Sequence, residues 1–522
     1  MTRVTAERND GAEAAGAETA FANWPEQTLL AQNHTVVAAV PDYDSFIHDP
    51  GLAVLPNGVL VVASPCWQRR PGLATRPGWQ ALRDAGVPYL VAQDQSQRRQ
   101  FALMARSRDG GKTWEQLDRL PFSDTTPFVA NGRLYMFAQY NLWSDLYITA
   151  SDDEGSTWAE PVKILEGLHW NCSTPRAVLG NRLYWAMNCG SWLNMIVLSA
   201  DLDKDLLTKE AWRKSNVARR PPTPSSMTRN LHEEKDAVFT HYWGADNWME
   251  PNIFVVNGRL RIATRAVIDE QTTANIACIG DVEDDDRGLR LRFTQFYGWP
   301  GGQNKFFILD DRKSGLFWML CNLVTDSQDS RGNTAAALKS GFRGSLGNER
   351  RNLALFYSVD ALNWIPAGIA ARWPGMLQSF MYPSAAIDGD DIVFISRTSQ
   401  YARHQHDADR TTFHRIRNFR DLALDLTPRA ASFERLVPPP FPARRPLPDA
   451  ILGRWMWHTG RNFSFEKDGR LTGAKGNWSA LSAERCRVSV EEQSGSLELI
   501  GDGSLLIGRT DDGAEIWAVK QP

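Results

Sequence analysis

The sequence predicts an all-β protein, a six-bladed β-propeller followed by a small C-terminal antiparallel β domain. Two repeats carry this prediction. The first is an Asp-containing turn, SRDGGKTW at 107–114, which returns as SDDEGSTW at 151–158 and in a shorter form as SVDALNW at 358–364. The second is a hairpin whose turn is Asn-Gly, Asp-Gly or a close variant. Strand units that recur in this way are typical of propeller blades.

Each copy of the Asp-containing turn follows a short apolar run, which predicts that it closes a hairpin. The Asp carboxylate can accept hydrogen bonds from turn amides, and Gly permits a positive φ. The Trp can fold back and pack between strands. We expect the three copies on the outer hairpins of the first, second and fifth blades.

The hairpin repeat occurs six times, at 52–63, 127–139, 176–188, 252–265, 305–320 and 384–397. A short segment ending in proline precedes five of them, namely HDP (48–50), TTP (125–127), STP (173–175), MEP (249–251) and MYP (381–383). Proline is tolerated as the first residue of a strand because no ladder donor is lost there. Six hairpins, each followed by two more strands, predict six four-stranded blades.

Changes in composition predict four segments along the chain. Residues 1–27 are polar and rich in Ala and Glu, as expected for a loose tail, and 28–436 hold the propeller. The Pro-rich stretch 437–448 is a linker, and 449–522 form a compact antiparallel β module. For the Trp residues of this module we favour core positions over a sugar-binding platform: Trp455, Trp457, Trp478 and Trp517.

The bulk properties exclude several classes of function. The chain has 522 residues and a net charge of -3, which gives no electrostatic case for binding nucleic acid. No apolar run approaches the roughly 20 residues of a membrane helix, so we expect no membrane insertion. The N-terminus lacks the apolar segment of a signal peptide, which predicts a cytoplasmic protein and leaves secretion by another route open. The six Cys residues lack metal or disulfide spacing and are expected as free thiols.

Antiparallel geometry predicts that one rim of the propeller holds three kinds of segment: the proline-containing strand starts, the ends of the second strands and the loops that follow them. The Asp-containing turns are expected on the opposite face. Functional loops concentrate where a rigid scaffold presents them. This rim collects His48, Asp49, Trp67, Thr126, Arg176, Glu250, Asn252, Arg265, Lys305, Asn322, Arg350, Tyr382, Arg397, His404, His406 and Asp407.

The chemistry of this set suits an anionic sugar. Guanidinium groups bind a carboxylate through two parallel hydrogen bonds. A Tyr activated by a carboxylate can act as the nucleophile where an anionic nucleophile would be repelled. His404, His406 and Asp407 have side chains that metals accept, but a polar loop is the favoured interpretation. We predict no metal site and no cofactor, and a structural cation in the central channel stays open.

The Asp-containing turns (Asp boxes, or BNR repeats), the six blades and the rim residues resemble the sialidase (neuraminidase) superfamily over about residues 40–425. The segment MEPNIFVVNGRLRIATR resembles the one in which sialidases carry the Glu that activates the nucleophile and an Arg of the carboxylate-binding triad. The resemblance implies these roles for Glu250 and Arg265. In the same way, RRNLALFYS implies a triad role for Arg350, and FMYPSAAIDGDDIVF places the nucleophile at Tyr382.

The first blade departs from the sialidase pattern. Sialidases open with Arg-Ile-Pro, whereas FIHDPGL puts His48 at the position of the first triad Arg. Asp84 and Asp94 lie in the loop where the general acid is expected, and Asp49 is an alternative. Arg176 and Arg397 are placed on the rim by topology and are expected, with Trp67, to bind substrate.

Three functions follow from these observations. The first is an exo-acting glycosidase of sialidase type that hydrolyses a terminal acidic sugar of an oligosaccharide or polysaccharide. The second rests on HDP together with HDADRTTFHRIRNF at 406–419, which resemble propeller enzymes that release rhamnose from rhamnosyl-α-1,4-glucuronate as hydrolases or lyases. In those, His48 would be the acid/base and Arg groups would neutralise the uronate. The third is a non-catalytic glycan-binding propeller.

Overall fold

The chain divides into two compact units, residues 1–424 and 425–522. Nearly all of the regular structure is strand, which confirms the all-β class. The predicted tail 1–27 and residues 437–445 of the predicted linker lie outside the described residues. The computed structural model describes residues 28–43, 45–68, 77, 79–85, 100–170, 172–224, 247–267, 275–325, 349–375, 377–402, 405–424, 446–500 and 503–522.

The first half of the first unit contains fifteen strands, a short α-helix and a 3-10 turn among its described residues. In chain order they are β1 (His34–Ala39), β2 (Ser45–Ile47), β3 (Gly51–Val54), β4 (Leu60–Gln68), α1 (Trp79–Asp84), β5 (Gln100–Ser107), β6 (Glu115–Gln116), β7 (Asp124–Ala130), β8 (Arg133–Gln139), β9 (Ser144–Ser151), β10 (Val162–Trp170), β11 (Ala177–Leu179), β12 (Arg182–Cys189), β13 (Ser191–Asp201), the 3-10 turn Lys209–Ala211, β14 (Trp212–Lys214) and β15 (Ala218–Arg219).

These strands form two sheets, apart from β1. The first sheet has the order β2-β4-β5-β6, with β3 also paired to β4. The second has nine strands in the order β14-β13-β12-β10-β9-β8-β7, with β11 on β12 and β15 on β13. Two antiparallel sets, β7–β10 and β11–β14, therefore merge into one sheet. They merge because β10 pairs with β12, His169 opposite Cys189 and Trp170 opposite Asn188.

Three four-stranded sheets complete the first unit. Their orders are β16-β17-β18-β19, β20-β21-β22-β23 and β1-β26-β25-β24. Their elements are β16 (Asn247–Val256), β17 (Arg259–Val267), β18 (Ile276–Asp285), β19 (Gly288–Gly298), β20 (Phe306–Asp311), β21 (Leu316–Asn322), β22 (Asn352–Ser358), β23 (Ile365–Arg372), β24 (Ser379–Asp388), β25 (Asp391–Ser399), β26 (Arg410–Ile416) and the 3-10 turn Phe419–Leu422.

All six predicted hairpins are present as antiparallel pairs, β3–β4, β7–β8, β11–β12, β16–β17, β20–β21 and β24–β25. Their turns follow from local sequence. Asn131 and Gly132, between β7 and β8, have φ of 49° and 77°. Asn257 and Gly258, between β16 and β17, have φ of 50° and 71°. Two successive positive φ values match the twist of a two-residue hairpin, and Asn-Gly tolerates them well.

The first strands of successive hairpins lie side by side. Strand β3 contacts β7, β11 contacts β16, β16 contacts β20, and β20 contacts β24. Strand β24 in turn contacts β3, so the contacts run without interruption from β11 through β16, β20 and β24 to β3 and β7. The last sheet is completed by β1, which pairs with β26 so that His34 lies opposite His414. The two ends of the unit therefore share one sheet.

The first Asp-containing turn is a network of hydrogen bonds. The carboxylate of Asp109 accepts bonds from the backbone N–H of Lys112 over 3.0 Å, the N–H of Thr113 over 2.9 Å and the Thr113 hydroxyl over 2.5 Å. The Ser107 hydroxyl oxygen accepts the N–H of Gly111 over 2.9 Å. Gly111 has a φ of 90°, and a Cβ there would lie 2.1 Å from a ring carbon of Phe413. Glycine is thus required by conformation and by packing.

The other two copies reproduce this network with their own side chains. Asp153 accepts the N–H and the hydroxyl of Thr157 over 2.8 and 2.7 Å. In the shorter copy, Asp360 accepts the backbone N–H and the side-chain amide of Asn363 over 2.8 and 2.7 Å. Ala361 takes the left-handed conformation there, with a φ of 53°. The short copy therefore keeps the turn without glycine.

The second unit is an eight-stranded antiparallel sheet with the order β29-β28-β27-β34-β33-β32-β31-β30. Its core contains Trp455, Trp457 and Trp478, each buried as predicted. Trp517 differs from the prediction, because 40% of it is exposed on the outer side of its strand. The strands are β27 (Gly453–Trp457), β28 (Asn462–Phe465), β29 (Leu471–Thr472), β30 (Gly476–Ala480), β31 (Arg485–Val490), β32 (Gln493–Ile500), β33 (Leu505–Thr510) and β34 (Glu515–Lys520).

Two further expectations concern membrane-spanning helices and the state of the cysteines. Among the described residues there is no helix with the length and apolar character needed to cross a bilayer. All six Cys residues fall within the described ranges, and all six are free thiols, five of them buried. The prediction of unpaired cysteines is confirmed.

Candidate active site

Glu250 and Tyr382 occupy matching positions in two separate sheets. Each immediately precedes a proline and has a left-handed backbone, with φ of 56° and 51°. Each also lies at a shift in register near the start of its strand, in β16 and β24 respectively. A bulge of this kind bends the strand and re-aims a side chain. A left-handed conformation costs a non-glycine residue about 1–3 kcal/mol, so the surrounding sheets must hold both residues in place.

The two bulges bring the Tyr382 hydroxyl and the Glu250 carboxylate into contact. The hydroxyl donates a hydrogen bond to Glu250 Oε1 over 2.7 Å. Burial, and then the adjacent Glu250 carboxylate, raise the pKa of Tyr382. The phenol is therefore protonated at neutral pH, and Oε1 is placed to receive its proton. The other carboxylate oxygen, Glu250 Oε2, is buried and has no hydrogen-bond partner among the described residues.

Arg265 joins this pair. Its Nη1 donates to Glu250 Oε1 over 3.1 Å and lies 3.4 Å from the Tyr382 hydroxyl oxygen. Its Nε donates to the backbone carbonyl of Gln303 over 2.6 Å, which fixes the orientation of the guanidinium. Burial opposes the charge on this group, but Glu250 and Tyr382 together outweigh it, and the pKa of Arg265 is raised. A charged guanidinium thus lies directly beside the phenol and the carboxylate.

Three more cations surround the Tyr382 ring. The guanidinium carbons of Arg350 and Arg397 lie 5.2 and 5.1 Å from the ring centre, and Lys305 Nζ lies 5.7 Å from it. Lys305 Nζ also donates to the carbonyl of Pro383 over 2.6 Å. Burial lowers the pKa of Arg350 to about 10 and that of Lys305 below its usual range. Arg350 still carries its charge at neutral pH.

Two of these arginines come from equivalent places in their hairpins. Arg265 pairs in register with Met249, and Arg397 pairs with Met381. Each arginine therefore lies opposite the residue just before the bulge of the facing strand. One hairpin contributes a carboxylate and an arginine, and the other contributes a phenol and an arginine. The bulges align these four side chains because both hairpins share one geometry.

The first sheet contributes His48 and Asp49. His48 Nδ1 lies 3.1 Å from Asp124 Oδ1, and its ring stacks on Trp67 with 4.6 Å between ring centres. Asp49 Oδ1 accepts a hydrogen bond from Arg397 Nη1 over 3.3 Å, while Asp49 Oδ2 is buried without a hydrogen-bond partner among the described residues. Burial raises the pKa of Asp124. The contact between Asp49 and Arg397 therefore connects the first sheet, with its His48–Asp124 contact, to the basic side chains around Tyr382.

The structure leaves some predicted site residues outside this group. Arg176 Nη1 donates to the carbonyl of Thr174 over 3.2 Å, and its guanidinium lies over the ring of Phe128 at 5.3 Å. These contacts do not involve the tyrosine or its partners. Asp84 is exposed at the C-terminal end of α1, and Asp94 lies outside the described residues. Of the three carboxylates considered as general acid, the structure brings Asp49 to the group.

Two sets of side chains have the composition of metal ligands. His48, Asp49 and Asp124 offer ligand atoms that all lie within 4.8 Å of one another, but the Arg397 guanidinium already contacts this set through Asp49. His406 Nδ1 lies 3.1 Å from an oxygen of its neighbour Asp407. Burial, and then Arg397, lower the pKa of His406. His404, also considered as a ligand, lies outside the described residues.

Sequence reasoning missed Asp124 as a member of the group. The available signal was its place just before the TTP segment, at the same rim as the other strand starts. Cys172 was also missed, because a buried thiol has no recognisable pattern. Burial, together with the charge of Asp49, raises the pKa of Cys172 well above its usual range, so this thiol stays protonated beside the group. Lys305 was placed on the rim, and its contacts with Tyr382 and Pro383 were not foreseen.

Comparison with known proteins gives fold likenesses at low identity. No protein-family profile and no curated protein sequence matches the chain. An α-L-arabinanase from Penicillium chrysogenum is 13% identical, with 74% of this chain and 98% of that one covered and a TM-score of 0.43. The intramolecular trans-sialidase from Ruminococcus gnavus is 10% identical, with coverage of 76% and 98% and a TM-score of 0.43. A mutant of NanB sialidase from Streptococcus pneumoniae is 10% identical, with coverage of 77% and 72% and a TM-score of 0.43.

Proposed function

We propose that the protein is an exo-acting glycosidase of sialidase type, built on a six-bladed propeller, that hydrolyses a terminal acidic sugar. The observation that carries the proposal is the 2.7 Å hydrogen bond from Tyr382 to Glu250 beside the guanidinium groups of Arg265, Arg350 and Arg397. The row of neighbouring first strands from β11 through β16, β20 and β24 to β3 and β7 supports the propeller, with the nine-stranded sheet counted as two blades.

The reaction proceeds by double displacement. The Tyr382 oxygen attacks the anomeric carbon while its proton passes to Glu250 Oε1, and the bond to the leaving sugar breaks. A neutral phenol is the suitable nucleophile, since a carboxylate would be repelled by an acidic sugar. Water then attacks the anomeric carbon and gives a proton to the general acid that protonated the leaving oxygen. The tyrosyl–sugar bond breaks, and the proton returns from Glu250 to the phenol oxygen. The raised pKa of Tyr382 means that the nucleophile is activated only when Glu250 accepts its proton during attack.

The arginines bind the carboxylate of the sugar. The sialidase resemblance implies carboxylate-binding roles for Arg265 and Arg350. The first arginine of the triad is missing, because His48 stands at its position, and Arg397 supplies a third guanidinium group instead. Guanidinium–carboxylate hydrogen bonds are charge-assisted and are about twice as strong as neutral ones. These groups are buried, so little bulk water screens them. The charge around Tyr382 therefore supports an acidic substrate.

His48 acts as the general acid. Its Nδ1 is occupied by Asp124, so Nε2 is the nitrogen that exchanges a proton with the leaving oxygen. The contact of Asp124 with Nδ1 orients the imidazole ring, and stacking on Trp67 fixes the plane of that ring. A carboxylate that accepts the Nδ1–H of a histidine sets the tautomer and stabilises the protonated ring. Asp49 is the alternative acid.

A second function is favoured by the same His48–Asp124 pair. In a lyase or hydrolase acting on rhamnosyl-α-1,4-glucuronate, His48 would be the acid/base and the arginines would neutralise the uronate. In the lyase reaction the α-proton leaves C5, the C4–O bond breaks, and an unsaturated uronate forms. Tyr382 would then have no covalent role. The two functions differ in product and in the residue that they require.

One screen tests both proposals. The protein is incubated with a sialoside, a rhamnosyl-glucuronate and an unsubstituted uronide, and sugar release is followed together with ultraviolet absorbance. Release of sialic acid or free uronate without absorbance supports the first function. Absorbance of an unsaturated uronate, or release of rhamnose, supports the second. Binding without turnover of any of the three would contradict both and favour a glycan-binding propeller.

A further inference from the structure

The fifth hairpin, β20–β21, lies between the strands that carry Glu250 and Tyr382. Strand β20 contacts both β16 and β24. It begins at Phe306, directly after GQNK, the one hairpin start of the six that has no proline. Lys305 and Asn322 lie at the two ends of this hairpin, and both are buried. Their side chains contact the backbone on either side of Tyr382.

Lys305 holds the bulge of β24. The register of β24 on β25 shifts between Met381 and Ser384, so Tyr382 and Pro383 stand outside the regular ladder. A bulge of this kind leaves backbone groups without their strand partners. Lys305 Nζ donates to the carbonyl of Pro383 over 2.6 Å, so the ammonium replaces a donor that the ladder does not supply. Because a buried carbonyl without a donor costs free energy, this contact stabilises the bulge that aims the phenol.

Asn322 holds the other end of the same segment. Its Nδ2 donates to the carbonyl of Phe380 over 2.7 Å and to that of Arg350 over 3.1 Å. The N–H of Phe380 in turn donates to the Arg350 carbonyl over 3.0 Å. The two ends of one hairpin therefore contact residues 380 and 383, on either side of the tyrosine. Asn322 also joins this segment to the backbone of a proposed carboxylate ligand.

The start of β20 is joined to the bulge of β16 as well. Asn252 Oδ1 accepts the backbone N–H of Ile308 over 2.9 Å. Its Nδ2 donates to the carbonyls of Phe306 and Glu250, each over 3.2 Å. One buried amide thus connects β20 with the backbone of the carboxylate. With Lys305 on one side and Asn252 on the other, β20 fixes the spacing between the two bulges.

We propose that Lys305 is a positioning residue for the proposed nucleophile, which sets the direction of the Tyr382 phenol through the carbonyl of Pro383. This inference rests on the proposed function and adds a residue that acts on the reaction without touching the sugar. The competing role for a lysine in this place is to bind the carboxylate of the sugar directly. The hydrogen bond of 2.6 Å favours positioning, because it commits the ammonium to the backbone of the bulge.

Steady-state kinetics separate positioning from binding. Lys305→Met keeps an unbranched side chain but removes the donor. We expect kcat on the acidic substrate of the screen to fall about 10- to 100-fold, because a misplacement of about 1 Å can cost on the order of 10²-fold. KM should change little, since the arginines still bind the sugar. Lys305→Gln, which keeps an uncharged donor one bond nearer the backbone, should recover part of the lost kcat.

Lys313→Met is the matched control. Lys313 belongs to the turn of the same hairpin, and its Nζ donates to Asp390 at an exposed position. Exposed ion pairs contribute little, so this variant should keep the kcat and KM of the wild type. A higher KM with unchanged kcat in Lys305→Met would overturn positioning and make the lysine a ligand of the sugar. Unchanged kcat in Lys305→Met, or no recovery in Lys305→Gln, would overturn the inference as well.

Hydrogen exchange followed by mass spectrometry tests the same contact without a substrate. In Lys305→Met, amide exchange in peptides covering residues 379–384 should become about 10-fold faster or more, because a hydrogen bond from a charged donor is lost. Exchange in the second unit, and in Lys313→Met, should match the wild type. If Lys305→Met does not fold, Lys305→Gln takes its place: a lower kcat with unchanged KM supports the inference, and an unchanged kcat overturns it.

The exchange measurement also decides the case in which the wild type turns over none of the substrates, so that the proposed glycosidase fails. Faster exchange over 379–384 then still supports the hold of Lys305 on the bulge. Exchange equal to that of the wild type would overturn the inference, whether or not the protein is a glycosidase.

Discussion

Tyr382 donates a 2.7 Å hydrogen bond to Glu250, and both residues have a left-handed backbone immediately before a proline. They come from different sheets, so neither bulge can relax without moving the other side chain. Backbone strain stored at two facing residues is a form of preorganisation. The pair is therefore held in its hydrogen-bonded geometry in the free protein, which would lower the reorganisation needed for the proton transfer of the proposed reaction.

The first prediction concerns the phenol. Tyr382→Phe should lower kcat by on the order of 10³-fold or more, because Glu250 then has no nucleophile to deprotonate. Substrate binding should persist, since the arginines remain. Tyr297→Phe is the matched control, as the Tyr297 hydroxyl donates to Asn363 at an exposed position. Full turnover in Tyr382→Phe combined with loss of activity in His48→Ala would instead indicate the lyase chemistry.

The second prediction concerns the charge around the tyrosine. Arg350→Met should raise KM for the acidic substrate about 10- to 100-fold, the effect of losing a charge-assisted hydrogen bond of about 1.5–3 kcal/mol. The measurement is a steady-state comparison of the acidic glycoside with its methyl ester. The ester should lose much less, because it carries no charge for Arg350 to bind. Arg292→Met, which removes an exposed arginine from β19, should leave both KM values unchanged.

The third prediction concerns acid stability. Burial, with the charge of His34 as a second cause, lowers the pKa of His414 from its usual value to about 3. The unfolded chain therefore binds a proton below about pH 6.5 that the folded chain does not bind until about pH 3. Stability from this group is present above pH 6.5 and is lost as the pH falls through that window, by up to about 1.4 kcal/mol per pH unit.

Denaturant unfolding between pH 4 and 7.5 checks this prediction. His414→Gln should show a shallower loss of unfolding free energy on acidification, by close to one proton. His458→Gln is the control, since His458 belongs to the second unit. A slope in His414→Gln equal to that of the wild type would contradict the assignment.

The fourth prediction separates folding from chemistry. Asp109→Ala removes the acceptor of four hydrogen bonds within its turn and should lower the unfolding free energy by about 1–2 kcal/mol. Hydrogen bonds from Thr113 lower the pKa of Asp109, so this stability is lost as the pH falls below about 3.9. Activity per folded molecule at neutral pH should be unchanged. A fall in kcat with unchanged stability would place the turn near the reacting groups.

The hairpins were predictable because their signals are local. Alternating apolar residues on either side of Asn131–Gly132 specify both strands and the turn between them, and the same holds at Asn257–Gly258. The carboxylate of Asp109 was predictable for the same reason, because its partners lie within four residues. Interactions of this range need no knowledge of the rest of the chain.

The geometry of the site was not predictable in this way. The residue before a proline is normally extended, so nothing in MEP or MYP indicates a left-handed backbone at Glu250 or Tyr382. Tertiary contacts override that local preference. The pairing of His48 with Asp124 joins residues of different sheets. Residue type and spacing selected most of the group, whereas bulges and side-chain contacts decided its arrangement.

The pairing of β1 with β26 also sets the order in which the protein can be completed during synthesis. Strand β1 emerges first, but its partner residues near His414 are made almost 400 residues later, on the order of tens of seconds at typical translation rates. Asp49 meets Arg397 across a similar separation. Contacts of such long range form slowly. Strand β1 must therefore wait without its partner, and Asp49 gains its contact with Arg397 only after β25 has been made.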